Sequence, residues 1–209
     1  MEQFDAGNFE KHCRRLIEID TDLQTVIQLF GYPPMWTRPN SFETLVLTIL
    51  EQQVSLASAF AAYKKLKERI SITPKKILQL TDDDLRACYF TRQKIVYVRG
   101  LATAIISKQI VLKKFETADD AFVRRELTAL KGIGNWTVDI YLIHALRHCD
   151  VFPIGDLALV NGIKMLKNDS SLTKEEILTL AEKWKPYRTI ATMIIWHYYI
   201  KKKNIRLLH

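Results

Sequence analysis

Residues 127–146 read LTALKGIGNWTVDIYLIHAL, and the fold turns on them. Upstream, Val123, Leu127 and Leu130 fall at i, i+4 and i+7, the spacing of one buried helix face. Downstream, a nearly wholly apolar helix is expected from about Asn135. Between them Gly132 and Gly134 flank Ile133. Glycines permit positive φ and let a partner approach the backbone closely. The unpaired N–H groups at the start of the second helix, together with its dipole, make a site for an anion such as phosphate. Ile133 is expected to pack back between the two helices. A Gly-x-Gly alone would serve equally as a C-cap in an ordinary connection. The longer string, hydrophobic-x-Gly-Ile-Gly-x-Trp-Thr-hydrophobic, narrows the reading to a helix–hairpin–helix. This motif grips a nucleic-acid backbone and positions the protein without reading bases.

Outward from this turn the apolar spacing stays helical. Asn40 with Glu43, Thr81 with Asp84, Thr117 with Asp120, and Thr173 with Glu176 read as helix-opening capping pairs. Ser55 and Thr91 read as further caps, and Pro186 should break one helix and precede the last, Tyr187 to about Lys201. Residues 150–157, with Pro153 and Gly155, are expected to be a loop. No sustained alternation of period two, linker or repeat occurs, so the fold class is all-α. The basic ending KKKNIRLLH is read as a solvated end.

The chain has 209 residues, 31 Lys+Arg against 23 Asp+Glu, and a net charge of +8. That balance favours a polyanionic partner, nucleic acid before an acidic membrane surface. Cys13, Cys88 and Cys149 are scattered, with no disulfide framework, zinc spacing or four-cysteine iron–sulfur set. The N-terminal stretch lacks an apolar signal-peptide core, and no run is long enough to span a membrane. An intracellular protein is expected, in cytoplasm and nucleoid or in a nucleus, without membrane association. His144, His148 and His197 show no ligand spacing and are read as structural or surface residues. No nucleotide-binding glycine pattern is present, so no cofactor is expected for chemistry.

Twenty residues after Trp136 stands Asp156, in DVFPIGDLALVNGI. It can cap the following helix. A DNA grip does not need an acid close behind it, because a carboxylate repels phosphate; catalysis gives it a reason to be there.

Taken together, LVLTILEQQVSLASA, FTRQKIVYVRGLA, LKGIGNWTVDIY, GDLAL and EKWKPYRTIATMIIWHYY resemble, in order, the helix–hairpin–helix DNA glycosylase superfamily, and within it the DNA-3-methyladenine glycosylase II branch. The likeness spans about Asn40 to Tyr199. It departs at Glu51, where glycine is usual before Gln-Gln, at Lys131 in place of proline, at Gly155 in place of a first acid, and at Ile140 where some relatives have a pocket tyrosine.

The resemblance implies a single catalytic unit, 1–209, of two closely packed helical lobes with an active-site cleft between them. Lobe one covers about 42–148, including the hairpin at 118–146; lobe two covers about 1–41 plus 149–209. It implies a monofunctional hydrolase of N-glycosyl bonds that flips out and excises alkylated purines of the 3-methyladenine type in base excision repair. Asp156 is the implied catalytic aspartate, facing the positive charge that develops on the sugar. Trp136, Trp196 and Tyr141 are candidates for the base pocket, where aromatic faces favour cationic rings. Trp184 reads as core, and Trp36 as either pocket lid or packing.

Gly132, Ile133, Gly134, Asn135 and Thr137 are the implied DNA-backbone contacts. Gln53 stands where the resemblance puts the side chain that fills the gap left by the flipped base, with Gln52, a further implied DNA contact, and Val54 beside it; alternatively these residues simply end a helix. Arg188 would support the Asp156 loop, bind phosphate, or be an ordinary surface arginine. The carbonyls of Thr128, Leu130 and Gly132 are the oxygens a Na+ or K+ ion would take. Bifunctional relatives carry a lysine where this chain has Trp136, and a tryptophan cannot form a Schiff base. A glycosylase/lyase for other damaged bases and a non-catalytic DNA-binding protein remain the alternatives. The expected partner is double-stranded DNA with a damaged base, bound by a monomer.

Overall fold

A computed structural model describes residues 2–205 and is helical, with no strand among them. In chain order the helices are α1 (Phe9–Ile19), α2 (Thr21–Phe30), α3 (Phe42–Glu51), α4 (Leu56–Arg69), α5 (Pro74–Gln79), α6 (Asp82–Ala87) and α7 (Arg92–Ile106). They continue with α8 (Leu112–Phe115), α9 (Asp120–Thr128), α10 (Asn135–His144), α11 (Leu157–Lys167), α12 (Lys174–Ala181) and α13 (Arg188–Lys202). A 3-10 turn covers Glu182–Trp184, and an isolated antiparallel bridge pairs Gln3 with His148. The ending 206–209 lies outside the described residues.

Helix starts follow local chemistry. Thr81 and Thr173 form capping boxes with Asp84 and Glu176, while Ser55 and Thr91 cap α4 and α7. Two caps differ from expectation. Ser41, not Asn40, caps α3 by accepting from the Thr44 N–H, because Asn40 is engaged elsewhere: its amide donates to the Leu112 carbonyl at 3.0 Å. Asp119, not Thr117, caps α9 by accepting from the Phe122 N–H at 2.7 Å. The last helix begins at Arg188, after a cis Lys185–Pro186 bond.

The chain divides into two compact units, with boundaries at 37/38 and 141/142 where 41/42 and 148/149 were expected. The second boundary therefore falls inside α10. One unit, Arg38–Tyr141, packs α7 against α3 and α5, and α3 against α4. Its core includes fully buried Leu45, Ile49, Leu66, Ile77, Val98, Leu101, Leu127 and Val138. The other takes the described residues up to Thr37 and from Leu142 onward, with α13 packed on α1, α2 and α11. A Cβ at Gly162 would lie 2.7 Å from Cγ2 of Ile195, so the α11–α13 crossing depends on glycine. Each fully buried Leu or Ile contributes about 1.5–3 kcal/mol.

Candidate active site

The hairpin turn belongs to the unit Arg38–Tyr141. Gly132 has φ +86°, a conformation that favours glycine. A Cβ there would lie 2.1 Å from the Tyr97 ring, so α7 reaches the hairpin through an aromatic face that only glycine accommodates. Ile133 is buried, as expected, and pins the turn. The Gln52 side-chain amide at the end of α3 donates to the Gly132 carbonyl and to Thr137 Oγ1, both at 2.9 Å. Arg124 on α9 pairs with buried Asp139 on α10, locking the two hairpin helices together. Burial pushes the Asp139 carboxyl up, against the pull of Arg124.

Gly134 and Asn135 are exposed at the start of α10. Thr137 differs from its expected role: it is buried, and its hydroxyl is taken by Gln52. Leu130 and Gly132 present hard carbonyl oxygens that already accept from the Ile133 N–H and Gln52. Each keeps a second lone pair, the donor chemistry a monovalent cation requires.

The end of α3 is braced from two sides. Lys94, buried on α7, donates from Nζ to the Leu50 carbonyl at 2.7 Å, and loss of solvent lowers its pKa. Arg38 bridges both carboxylate oxygens of Glu51, at 2.5 and 2.8 Å. Glu51, one of the four departures from the pattern, is thus matched by its own arginine. Beyond it Gln53 is exposed with φ +56°, an uncommon setting for a non-glycine residue. Gln52 faces the hairpin and Gln53 faces solvent.

The carboxylate belongs to the other unit. Asp156 is the N-cap of α11, accepting from the Leu159 N–H at 2.8 Å on Oδ1. The same oxygen accepts from the Trp196 indole N–H at 2.9 Å. Trp196 is buried, and its ring stacks on His144, with centroids 5.6 Å apart and planes at 15°. His144 is held in turn by donating from Nδ1 to the Trp36 carbonyl at 2.8 Å. The loop before Asp156 is anchored at its root. Arg188 grips Asp150 through Nε and a terminal nitrogen, at 2.7 and 2.9 Å. Thr189 Oγ1 donates to the His148 carbonyl and accepts from the Val151 N–H.

Several expected residues fall elsewhere. Tyr141 is fully buried against Phe115 and donates its hydroxyl to Asn40, so it is a core residue rather than a face for a stacked base. Arg188 is committed to Asp150, which favours loop support over phosphate binding. Trp184 is core, donating its indole N–H to Asp20 at 2.7 Å, and Trp136 is half-buried at the start of α10. His197 donates to the Phe30 carbonyl at 3.0 Å, consistent with a structural residue. Sequence reading did not assign roles to Lys94 and Tyr97. Their i, i+3 spacing was the available signal, since it sets both on one side of α7.

Comparisons with known proteins show the family. Residues 46–186 match the family described as HhH-GPD superfamily base excision DNA repair protein. DNA-3-methyladenine glycosylase 1 of Schizosaccharomyces pombe is 30% identical over 187 residues, covering 85% of this chain and 82% of the relative. DNA-3-methyladenine glycosylase of Bacillus subtilis is 27% identical over 223 residues, covering 94% and 74%. The solved structure of Schizosaccharomyces pombe 3-methyladenine DNA glycosylase in complex with abasic DNA superimposes with a TM-score of 0.83 at 31% identity, covering 89% of this chain and 95% of that one.

Proposed function

Because the chain belongs to the HhH-GPD superfamily of base excision DNA repair proteins, we propose that it is a monofunctional DNA N-glycosylase that hydrolyses the bond between deoxyribose and an alkylated purine of the 3-methyladenine type. The observation that carries this reading is the Asp156 carboxylate, held on one oxygen by the Trp196 indole and the first turn of α11.

An N-alkylated purine carries a positive charge, so it leaves by taking the electron pair of the C1′–N bond and becoming neutral. Positive charge then builds on the sugar. A fixed carboxylate stabilises that charge without reorganising, and it can orient and deprotonate the water whose oxygen joins C1′. The base must first leave the stack, at a few kcal/mol of unstacking that damage reduces. The hairpin N–H groups hold the phosphate backbone, and Gln53, exposed at the end of α3, is the side chain that fills the gap. Trp136 offers the damaged ring an aromatic face, where cation–π attraction favours a charged base over a neutral one. The carbonyls of Thr128, Leu130 and Gly132 would hold a Na+ or K+ ion that shapes the grip and takes no part in chemistry.

The protein works as a monomer on double-stranded DNA. No helix among the described residues is long and apolar enough to cross a membrane.

Base release from duplexes carrying 3-methyladenine, 7-methylguanine, hypoxanthine or ethenoadenine tests the proposal. Release of the alkylated purines, lost in Asp156→Asn with duplex binding intact, is expected. Unchanged release in that variant would remove the catalytic assignment. A covalent adduct trapped by borohydride would instead point to lyase chemistry.

A further inference from the structure

Within the unit containing α1 and α13, the first residues run antiparallel to 147–149. The Phe4 N–H donates to the Arg147 carbonyl at 2.9 Å, and the Cys149 N–H to the Glu2 carbonyl at 3.0 Å. This pairing sets the side chains of Glu2 and Cys149 beside each other, and α1 brings His12 to the same place. One carboxylate oxygen, one imidazole nitrogen and one sulfur all lie within 4.8 Å of one another.

His12 Nε2 stands 3.4 Å from Glu2 Oε1. In a tetrahedral zinc site with bonds of about 2.0–2.3 Å, neighbouring ligand atoms are about 3.3–3.6 Å apart. His12 is 3% exposed, and among the described residues neither of its ring nitrogens has a hydrogen-bond partner. Its plane is fixed by stacking on Tyr187, with centroids 4.3 Å apart. A buried imidazole with no hydrogen bond is costly to keep, and a metal ion at Nε2 would give one nitrogen a partner.

We propose that Glu2, His12 and Cys149 form a binding site for a borderline-soft divalent cation of the zinc class. One thiolate, one imidazole and one carboxylate suit Zn2+; a thiolate and an imidazole disfavour Mg2+ and Ca2+, which prefer all-oxygen sets. Three protein ligands leave the fourth position to water, which reaches the cluster on the Glu2 side, where that side chain is 49% exposed. Binding forms a metal–sulfur bond and releases the thiol proton to solvent. Burial, with the carboxylates of Glu2, Asp150 and Asp5 around it, pushes the free thiol up to about 12, and a divalent cation reverses that local field. The ion would clamp the first residues and α1 to the strand-like segment that leads into the Asp150–Asp156 loop. The three ligands are too far apart in sequence for a spacing motif to reveal them.

Tag-free protein, stripped with a chelator, tests this by titration with Co2+ and then Zn2+. One equivalent of Co2+ should give tetrahedral visible bands and a thiolate charge-transfer band, both bleached by Zn2+. Cys149→Ser should abolish the charge-transfer band, whereas Cys13→Ser and Cys88→Ser should keep it. Glu2→Gln, at a half-exposed position where the fold is not at stake, should weaken Zn2+ at least about tenfold, the scale of losing even an outer-shell partner. Absence of cobalt bands in the folded wild type, or a charge-transfer band that survives Cys149→Ser, would overturn the proposal.

Discussion

Trp196 and Asp156 meet through a single hydrogen bond of 2.9 Å, and it ends on the carboxylate oxygen that also caps α11. One oxygen thus anchors the side chain to a helix and to an indole at once. Asparagine is as good an N-cap as aspartate. Asp156→Asn should therefore melt close to wild type yet release base about 10²–10³-fold more slowly, the scale of removing one fixed electrostatic group from a transition state. Thermal melts and single-turnover base release, measured on the same preparation, check the two halves separately.

Trp196→Phe keeps a ring against His144 and removes only the donor. A hydrogen bond to a charged group is worth about 1.5–3 kcal/mol, so the rate of the chemical step should fall about 10–100-fold. Affinity for undamaged duplex should not change. A loss confined to duplex affinity would show that the indole acts in binding and does not orient Asp156.

Gly132→Ala adds two insults that can be separated. One is the φ of +86°; the other is the Tyr97 ring, 2.1 Å from the new Cβ. Backbone strain alone should cost about 1–3 kcal/mol. Tyr97→Ala combined with Gly132→Ala should recover the steric part and leave the strain. Denaturant midpoints of the two single variants and the double variant give the partition, and duplex affinity should follow the hairpin's integrity.

Gln53→Gly relieves a non-glycine residue at φ +56° while deleting its side chain. Stability should hold or rise. Excision from duplex should fall, and excision from a single strand, where no gap needs filling, should not. Equal losses on both substrates would remove Gln53 from the flipping step.

Asp20 gives a pH dependence. Burial raises its carboxyl pKa, but bonds from Lys183, Trp184 and the Leu23 N–H outweigh this and hold it below the ordinary value. A depressed carboxylate stabilises the fold above its unfolded pKa of about 3.9, and that stability is lost as pH falls through the folded value. The melting-temperature gap between wild type and Asp20→Asn should be widest at neutral pH and close below about pH 4.

Local chemistry was the legible part of this protein. Thr81 with Asp84 and Thr173 with Glu176 lie three residues apart, so the chain itself delivers each cap to its helix. The same holds for the glycines of the hairpin and the loop that carries Asp156. Asn40 and Ser41 are both good caps, and the distant partners Tyr141 and Leu112 decide between them. The resemblance makes Tyr141 a pocket candidate, yet its hydroxyl donates to half-buried Asn40 and its ring packs on Phe115. The Trp196–Asp156 bond spans forty positions, and Arg38, ahead of α3, answers Glu51 at the far end of that helix. Pairs of that kind depend on how helices are packed, which no periodicity records.

Extruding a base is a mechanical act, and whatever pushes on the stack is pushed back. Gln53 stands just past the final turn of α3, the place where a helix ordinarily frays. There the Lys94 ammonium sits against the Leu50 carbonyl and a bidentate arginine ties down Glu51. Recoil from the duplex would therefore pass into α7 and the Arg38 segment instead of unwinding the turn. Seen this way, the buried lysine is a strut, and a methionine in its place should leave a protein that grips DNA but yields when it tries to pry.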